Sequence, residues 1–138
     1  MAGLDANQYR RWNTYLINRW GLDPLFSQYV AATQTWIQQH GRPATGITSG
    51  YRSPKRQLEL INRWEAGKRS GLVSKPALKS WHMQGLAIDV STDSESFPFF
   101  REIMLYYGNR WGGNFRRYDP VHFDRPIGTA KTVYQLLA

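Results

Sequence analysis

The feature that most restricts the fold is the run Ser80-Trp81-His82-Met83-Gln84-Gly85-Leu86-Ala87-Ile88-Asp89, answered downstream by Asp119-Pro120-Val121-His122-Phe123. Leu86, Ile88 and Val90 alternate with Ala87, Asp89 and Ser91. A period of two predicts a strand with Asp89 turned away from the apolar face. His82 lies seven positions before Asp89, so on one regular strand the two would face opposite ways. They meet only if the chain turns between them, and Gly85 permits the turn because it adopts backbone angles closed to its neighbours. A second short strand around Val121-His122-Phe123 would then bring His122 alongside in an antiparallel or mixed sheet.

Two imidazoles and a carboxylate converging in this way suit a metal. Zinc without thiolates is held by imidazole nitrogen and carboxylate oxygen, and a hydrolytic zinc keeps three protein ligands and one open position. His82, Asp89 and His122 fill that set. Two histidines argue against calcium or magnesium, which take oxygen shells, and for a first-row transition metal, with Zn2+ the choice for hydrolysis. Such chemistry also needs a proton acceptor off the metal. Asp119, in the Asp-Pro turn entering the second strand, is the candidate general base. Arg52, in Ser49-Gly50-Tyr51-Arg52-Ser53-Pro54, offers a permanently charged fork of donors for a substrate carboxylate or a developing oxyanion.

These three blocks give the chain a family likeness. The Ser-x-His-x-x-Gly-x-Ala-x-Asp pattern of residues 80–89, the Asp-x-x-His of 119–122 and the upstream Ser-Gly-Tyr-Arg-Ser-Pro resemble zinc D-Ala-D-Ala carboxypeptidases, vancomycin-resistance dipeptidases and phage L-alanyl-D-glutamate endopeptidases. The resemblance spans roughly residues 44–125 and rests on blocks in the expected order. It implies the Hedgehog/DD-peptidase fold: α+β, a small mainly antiparallel sheet with helices packed on it. It also implies zinc on His82, Asp89 and His122, a base at Asp119, where many members carry Glu, and substrate contact by Arg52. Ser80, Trp81 and Trp111 are further candidates for contacting substrate. The implied activity is hydrolysis of an amide bond in peptidoglycan stem peptides, at L-Ala-D-Glu or at a bond involving D-Ala. A phage-type endolysin is favoured over a carboxypeptidase or dipeptidase. A non-catalytic wall-binding module on the same fold is the rival reading.

The sequence of 138 residues suits one domain: an N-terminal helical part over 1–43, a catalytic core over 44–125 and a C-terminal helix over 126–138. It contains no cysteine, which excludes a disulfide framework and a thiolate metal site. Met1 to Asn7 lack the basic and apolar regions of a secretory signal, and no stretch matches a membrane span. The expectation is a protein made in the cytoplasm and delivered to the wall or periplasm by phage lysis, a phage tail or a secretion system. It would act as a monomer without membrane insertion. The formal charge of +8 suits a polyanionic partner, and peptidoglycan with its attached polymers fits as well as nucleic acid. The basic residues are scattered and no nucleic-acid-binding motif is present, so nucleic acid is not the expected partner.

Local signals set the remaining elements. Asp5 and Gln8 read as a capping box opening a helix through Tyr9, Trp12, Leu16 and Trp20. Asp23-Pro24 opens a second, with Leu25, Tyr29, Ala32 and Trp36 inward and an end near Gly41; His40 there reads as a capping or solvent residue. Thr45 to Ser49 is a strand candidate. Ser53-Pro54 starts a helix carrying Leu58, Ile61 and Trp64. Residues 67–79 form a loop shaping access to the His82 motif. A helix runs from Phe99 to Tyr107, closed by Gly108, and paired glycines at Gly112-Gly113 allow close backbone approach. Residues 129–138 form a short helix packing Val133, Leu136 and Leu137.

Overall fold

The computed structural model describes residues 3–72 and 74–138. The sequence readings at Met1 and Ala2, and at Val73 within the 67–79 loop, lie outside the described residues.

The chain opens with a helical hairpin, α1 (Ala6–Trp20) and α2 (Pro24–Gln39). Asp5 caps α1 by accepting from the Gln8 amide at 2.8 Å. The capping box is only half made, because the Gln8 side chain reaches across to Gln38 instead (2.7 Å) and the Asp5 amide donates to Gln39. Tertiary contacts with α2 thus replace the local return bond. Asp23 accepts from Leu25 and Phe26 amides, and Pro24 occupies the first turn of α2, where its missing N–H costs nothing. The inward face of α2 differs from the predicted stripe. Phe26, Val30, Ala31 and Ile37 are fully buried, whereas Leu25 is 44% exposed. The helix is covered almost all round from Val30 to Thr35 because α1 packs on one side and a later helix on the other, which leaves no single apolar stripe for periodicity to find.

Strand β1 (Ile47–Ser49) leads through Arg52 to α3 (Pro54–Glu65), capped by Ser53 Oγ. Leu60 and Ile61 are buried and Leu58 packs beside them, while Trp64 lies under the Arg69 guanidinium. A 3₁₀ turn over Trp81–Gln84 precedes β2 (Ala87–Val90). Helix α4 (Phe97–Tyr106) starts two residues before the predicted Phe99, since Pro98 sits in its first turn and is tolerated there. Two short strands, β3 (Arg110–Trp111) and β4 (His122–Asp124), complete a sheet ordered β1-β2-β4-β3 with every pairing antiparallel. The last helix, α5 (Val133–Leu137), is shorter than the 129–138 prediction; Val133 is buried but Leu137 is 46% exposed.

The sheet has two unlike faces. Ile88, Val90 and Phe123, all fully buried, join Phe26, Val30, Phe100 and Met104 in the main core. Period-two alternation turns Asp89, His122 and Asp124 to the opposite face. A second cluster of Ile61, Met83 and Val133 ties α3 and α5 to the 3₁₀ turn. Among the described residues, no helix is long and apolar enough to cross a membrane.

Candidate metal centre

The turn between His82 and Asp89 is made as the spacing requires. Ser80 Oγ accepts from the His82 amide at 3.3 Å and starts the 3₁₀ turn. Gly85 ends it at φ +70°, against the backbone of the α1–α2 connection. A Cβ there would stand 2.8 Å from the Asp23 nitrogen and 2.9 Å from the Gly21 oxygen, so glycine is required both for the angle and for the approach. The chain then enters β2, where Asp89 stands directly opposite His122 on β4 and opposite Ser49 on β1.

Ligand atoms of His82, Asp89 and His122 all lie within 4.8 Å of one another. His82 Nε2 is 3.2 Å from Asp89 Oδ1, and His122 Nδ1 is 3.3 Å from the same oxygen. Zinc bonded at about 2.0–2.2 Å in a tetrahedral shell separates its ligand atoms by roughly 3.3–3.5 Å, and the two spacings to Asp89 match that separation. The outer nitrogens are engaged elsewhere. His82 Nδ1 donates to the Gly50 carbonyl at 2.8 Å, and His122 Nε2 donates to Asp124 Oδ2 at 2.7 Å. Each ring therefore turns its other nitrogen toward Asp89, His82 through Nε2 and His122 through Nδ1.

The electrostatics follow from this packing. Burial works against the Asp89 carboxylate, but hydrogen bonds with His122 and His82 overcome it and hold Asp89 well below the usual carboxylate range. Burial likewise opposes charge on His122, yet its bonds to Asp124 and Asp89 push its pKa up to about 9.

Asp119 lies at the rim, in a turn closed by the His122 amide donating to the Asp119 carbonyl at 3.1 Å. Partial burial and then the Asp89 charge raise its pKa above the usual value, against the lowering effect of His122, His82 and Arg117. Arg52 lies near enough to the cluster to feel the Asp89 charge. Its amide donates to the His82 carbonyl at 3.0 Å, and its guanidinium is held by Gln57 Oε1 (3.0 Å) and Ser49 Oγ (3.2 Å). Burial lowers its pKa, partly offset by Asp89. The buried Gln57 amide in turn donates to the Ala77 carbonyl at 2.7 Å, tying the 67–79 loop to the arginine's support.

The three remaining candidates have structural engagements. Ser80 is the cap described above. Trp81 packs partly buried against the main core. Trp111 pairs with Phe123 on the core side of the sheet, donates to the Pro120 carbonyl at 2.8 Å and packs near Phe97. It does not join the cluster. His40 stacks on Trp36 and bonds its carbonyl at the end of α2, a capping role.

Sequence reading did not single out Asp124 or Phe115. Asp124 is 1% exposed, touches His122 and forms a two-pronged ion pair with Arg110. The signal was present in His-x-Asp on a strand, since alternate residues share a face. The Phe115 ring lies 5.8 Å from that of His122, a contact with no sequence periodicity behind it.

No family model matches the chain, and no curated protein matches it by sequence. Among solved structures it is similar to the vancomycin-resistance D,D-pentapeptidase VanY from a VanB-type resistance cassette, a mutant crystallised in complex with Zn(II). The TM-score is 0.54 and the identity 18%, over 75% of this chain and 71% of that one. The fold is α+β and VanY-like, with a His-Asp-His group that could hold a metal ion on its small antiparallel sheet.

Proposed function

We propose that the chain is a zinc peptidase that hydrolyses an amide bond in peptidoglycan stem peptides. The observation that carries this reading is the meeting of His82 Nε2, Asp89 and His122 Nδ1 at zinc-ligand spacing, with an unligated carboxylate at the rim. Bound there, zinc supplies a Lewis acid for the scissile carbonyl and lowers the pKa of water to about 7. Asp119 takes the proton from the attacking water and returns it to the leaving amine as the C–N bond breaks and the C–O bond forms. Burial and the Asp89 charge raise its pKa, the direction that makes a carboxylate a better proton acceptor. Arg52, braced by Ser49 and Gln57, anchors a substrate carboxylate beside the cluster.

The motif set is compatible with cleavage of L-Ala-D-Glu by an enzyme of the phage-lysin kind. The VanY likeness favours a second reading, cleavage next to D-Ala by a D,D-peptidase or carboxypeptidase. Digesting purified sacculi with zinc-loaded protein and identifying the new amino and carboxyl termini by mass spectrometry separates them. A new D-Glu amino terminus supports the first reading and released D-Ala the second. Stoichiometric zinc without any new terminus would leave only the wall-binding module.

A further inference from the structure

One face of the sheet carries a row of paired charged groups whose far end the proposed reaction does not use. Arg110 on β3 stands opposite Asp124 on β4, and Asp89 on β2 stands opposite His122. Arg110 Nε donates to Asp124 Oδ1 at 2.7 Å and Nη2 to Oδ2 at 2.9 Å. The same Oδ2 accepts from His122 Nε2 at 2.7 Å.

We propose that Asp124, clamped by Arg110, is the positioning residue that fixes His122 with its proton on Nε2 and its Nδ1 turned to the ion. The proposal rests on the zinc reading above. An ion pair serving stability alone would be complete with the two arginine prongs. The third bond, to the imidazole, selects the tautomer and the ring's rotation, because an ionised carboxylate accepts and cannot donate. A carboxylate on the outer nitrogen also makes the inner nitrogen a stronger donor to a metal.

The two histidines are treated differently. His82 is oriented by a neutral carbonyl, that of Gly50, while His122 is oriented by a charged group that is 1% exposed. Burial strengthens the Asp124–His122 bond and also makes an unclamped Asp124 costly. Arg110 meets that cost with a fork matched to the carboxylate plane. The arginine side chain is itself half exposed, and its guanidinium lies 4.8 Å from the centre of the Phe115 ring.

The test compares zinc affinity, by chelator competition, in wild type, Asp124→Asn and Arg110→Gln, with nitrogen-15 spectra of the histidine rings. Asp124→Asn is expected to weaken zinc binding by about 10- to 100-fold. It should also release His122 into a mixture of tautomers, since an amide can donate as well as accept. Arg110→Gln should weaken zinc by a smaller factor and broaden the same ring signals. A role confined to folding would lower thermal stability and leave the tautomer fixed. Wild-type zinc affinity and an unchanged His122 tautomer in Asp124→Asn would overturn the clamp while leaving the peptidase reading standing. If that variant fails to fold, Arg110→Gln, altered at a half-exposed side chain, decides on the same two readouts. Wild-type protein that takes up no zinc would instead sink the peptidase reading, and the clamp with it.

Discussion

Gly112 carries a steric constraint that links the fold to the proposed chemistry. Its backbone does not have positive φ, so alanine faces no conformational barrier and the effect of a substitution is purely one of space. A Cβ at Gly112 would stand 2.1 Å from the Asp119 carbonyl oxygen and 3.1 Å from the His122 Cβ. Contacts under 3.0 Å are not sustained, so the Asp119 segment must retreat by nearly 1 Å, stretching the Asp119 amide bond to the Gly112 carbonyl, now 3.0 Å. Overpacking of this kind costs about 1–3 kcal/mol, equivalent to roughly 3–15 °C in Tm for a domain of this size. A misplacement of about 1 Å at a catalytic group can cost 100-fold in rate. Gly112→Ala is therefore expected to lose about 100-fold in kcat/KM on a stem-peptide substrate while still binding zinc. Gly46→Ala, whose added Cβ meets atoms only at 3.5 and 3.6 Å, is the matched control and should stay within about 0.5 kcal/mol of wild type. A Gly112→Ala protein with wild-type turnover and Tm would refute the claim that close approach at this glycine positions the base.

The other expectations concern the cluster itself. Asp119→Asn should retain stoichiometric zinc and lose about 100- to 10,000-fold in kcat/KM, measured on the same substrate; loss of zinc instead would make Asp119 a ligand. Zinc at about 100 times its Kd should stabilise the wild type by about 2.7 kcal/mol, a shift that thermal melts should show to be absent in His82→Ala and Asp89→Ala. The metal-free protein should lose stability as pH rises. His122, raised to about 9 in the folded state, contributes stability that is fully present below its unfolded value near 6.5 and is lost as pH climbs to about 9. Asp89, lowered on folding, contributes in the opposite sense, with stability present above about 3.9 and lost on acidification. Melts of chelator-treated protein across pH 6 to 9.5 test the first; a flat Tm through that window would remove the charged His122 bridge.

Much of the candidate site was legible because it is local. The His82–Asp89 spacing, Gly85 and the alternation of β2 are short-range signals, and so is the Asp119 turn, closed by a bond of the His122 amide to the Asp119 carbonyl. The paired glycines also announced a close approach, though not its target. Reading failed where an element's environment is set by distant chain. The inward face of α2 was misassigned because burial on several sides erases the stripe that a surface helix would show. Gln8 abandoned its local cap for a partner thirty positions away, Gln38. The family likeness offered Trp111 as a substrate contact; the β3–β4 register pairs it with Phe123 on the core side and turns Arg110 to the other face. Asp124 passed unnoticed for the converse reason. Its importance lies in Arg110 across the strand and in the unused nitrogen of His122, neither of which composition reveals.

Loading an ion would change the charge on His122. His122 lies between the partly buried Asp89 carboxyl at 3.3 Å and the buried Asp124 carboxyl at 2.7 Å, and its pKa, raised to about 9, makes the metal-free ring an imidazolium at neutral pH. Binding then exchanges charges: the proton must leave Nδ1 while the one on Nε2 stays with Asp124. Strand register places Asp89 opposite His122, and the 3₁₀ turn brings His82 to the same Asp89 oxygen. Apparent affinity should accordingly rise with pH up to about 9, by close to tenfold per unit where one proton is released per ion.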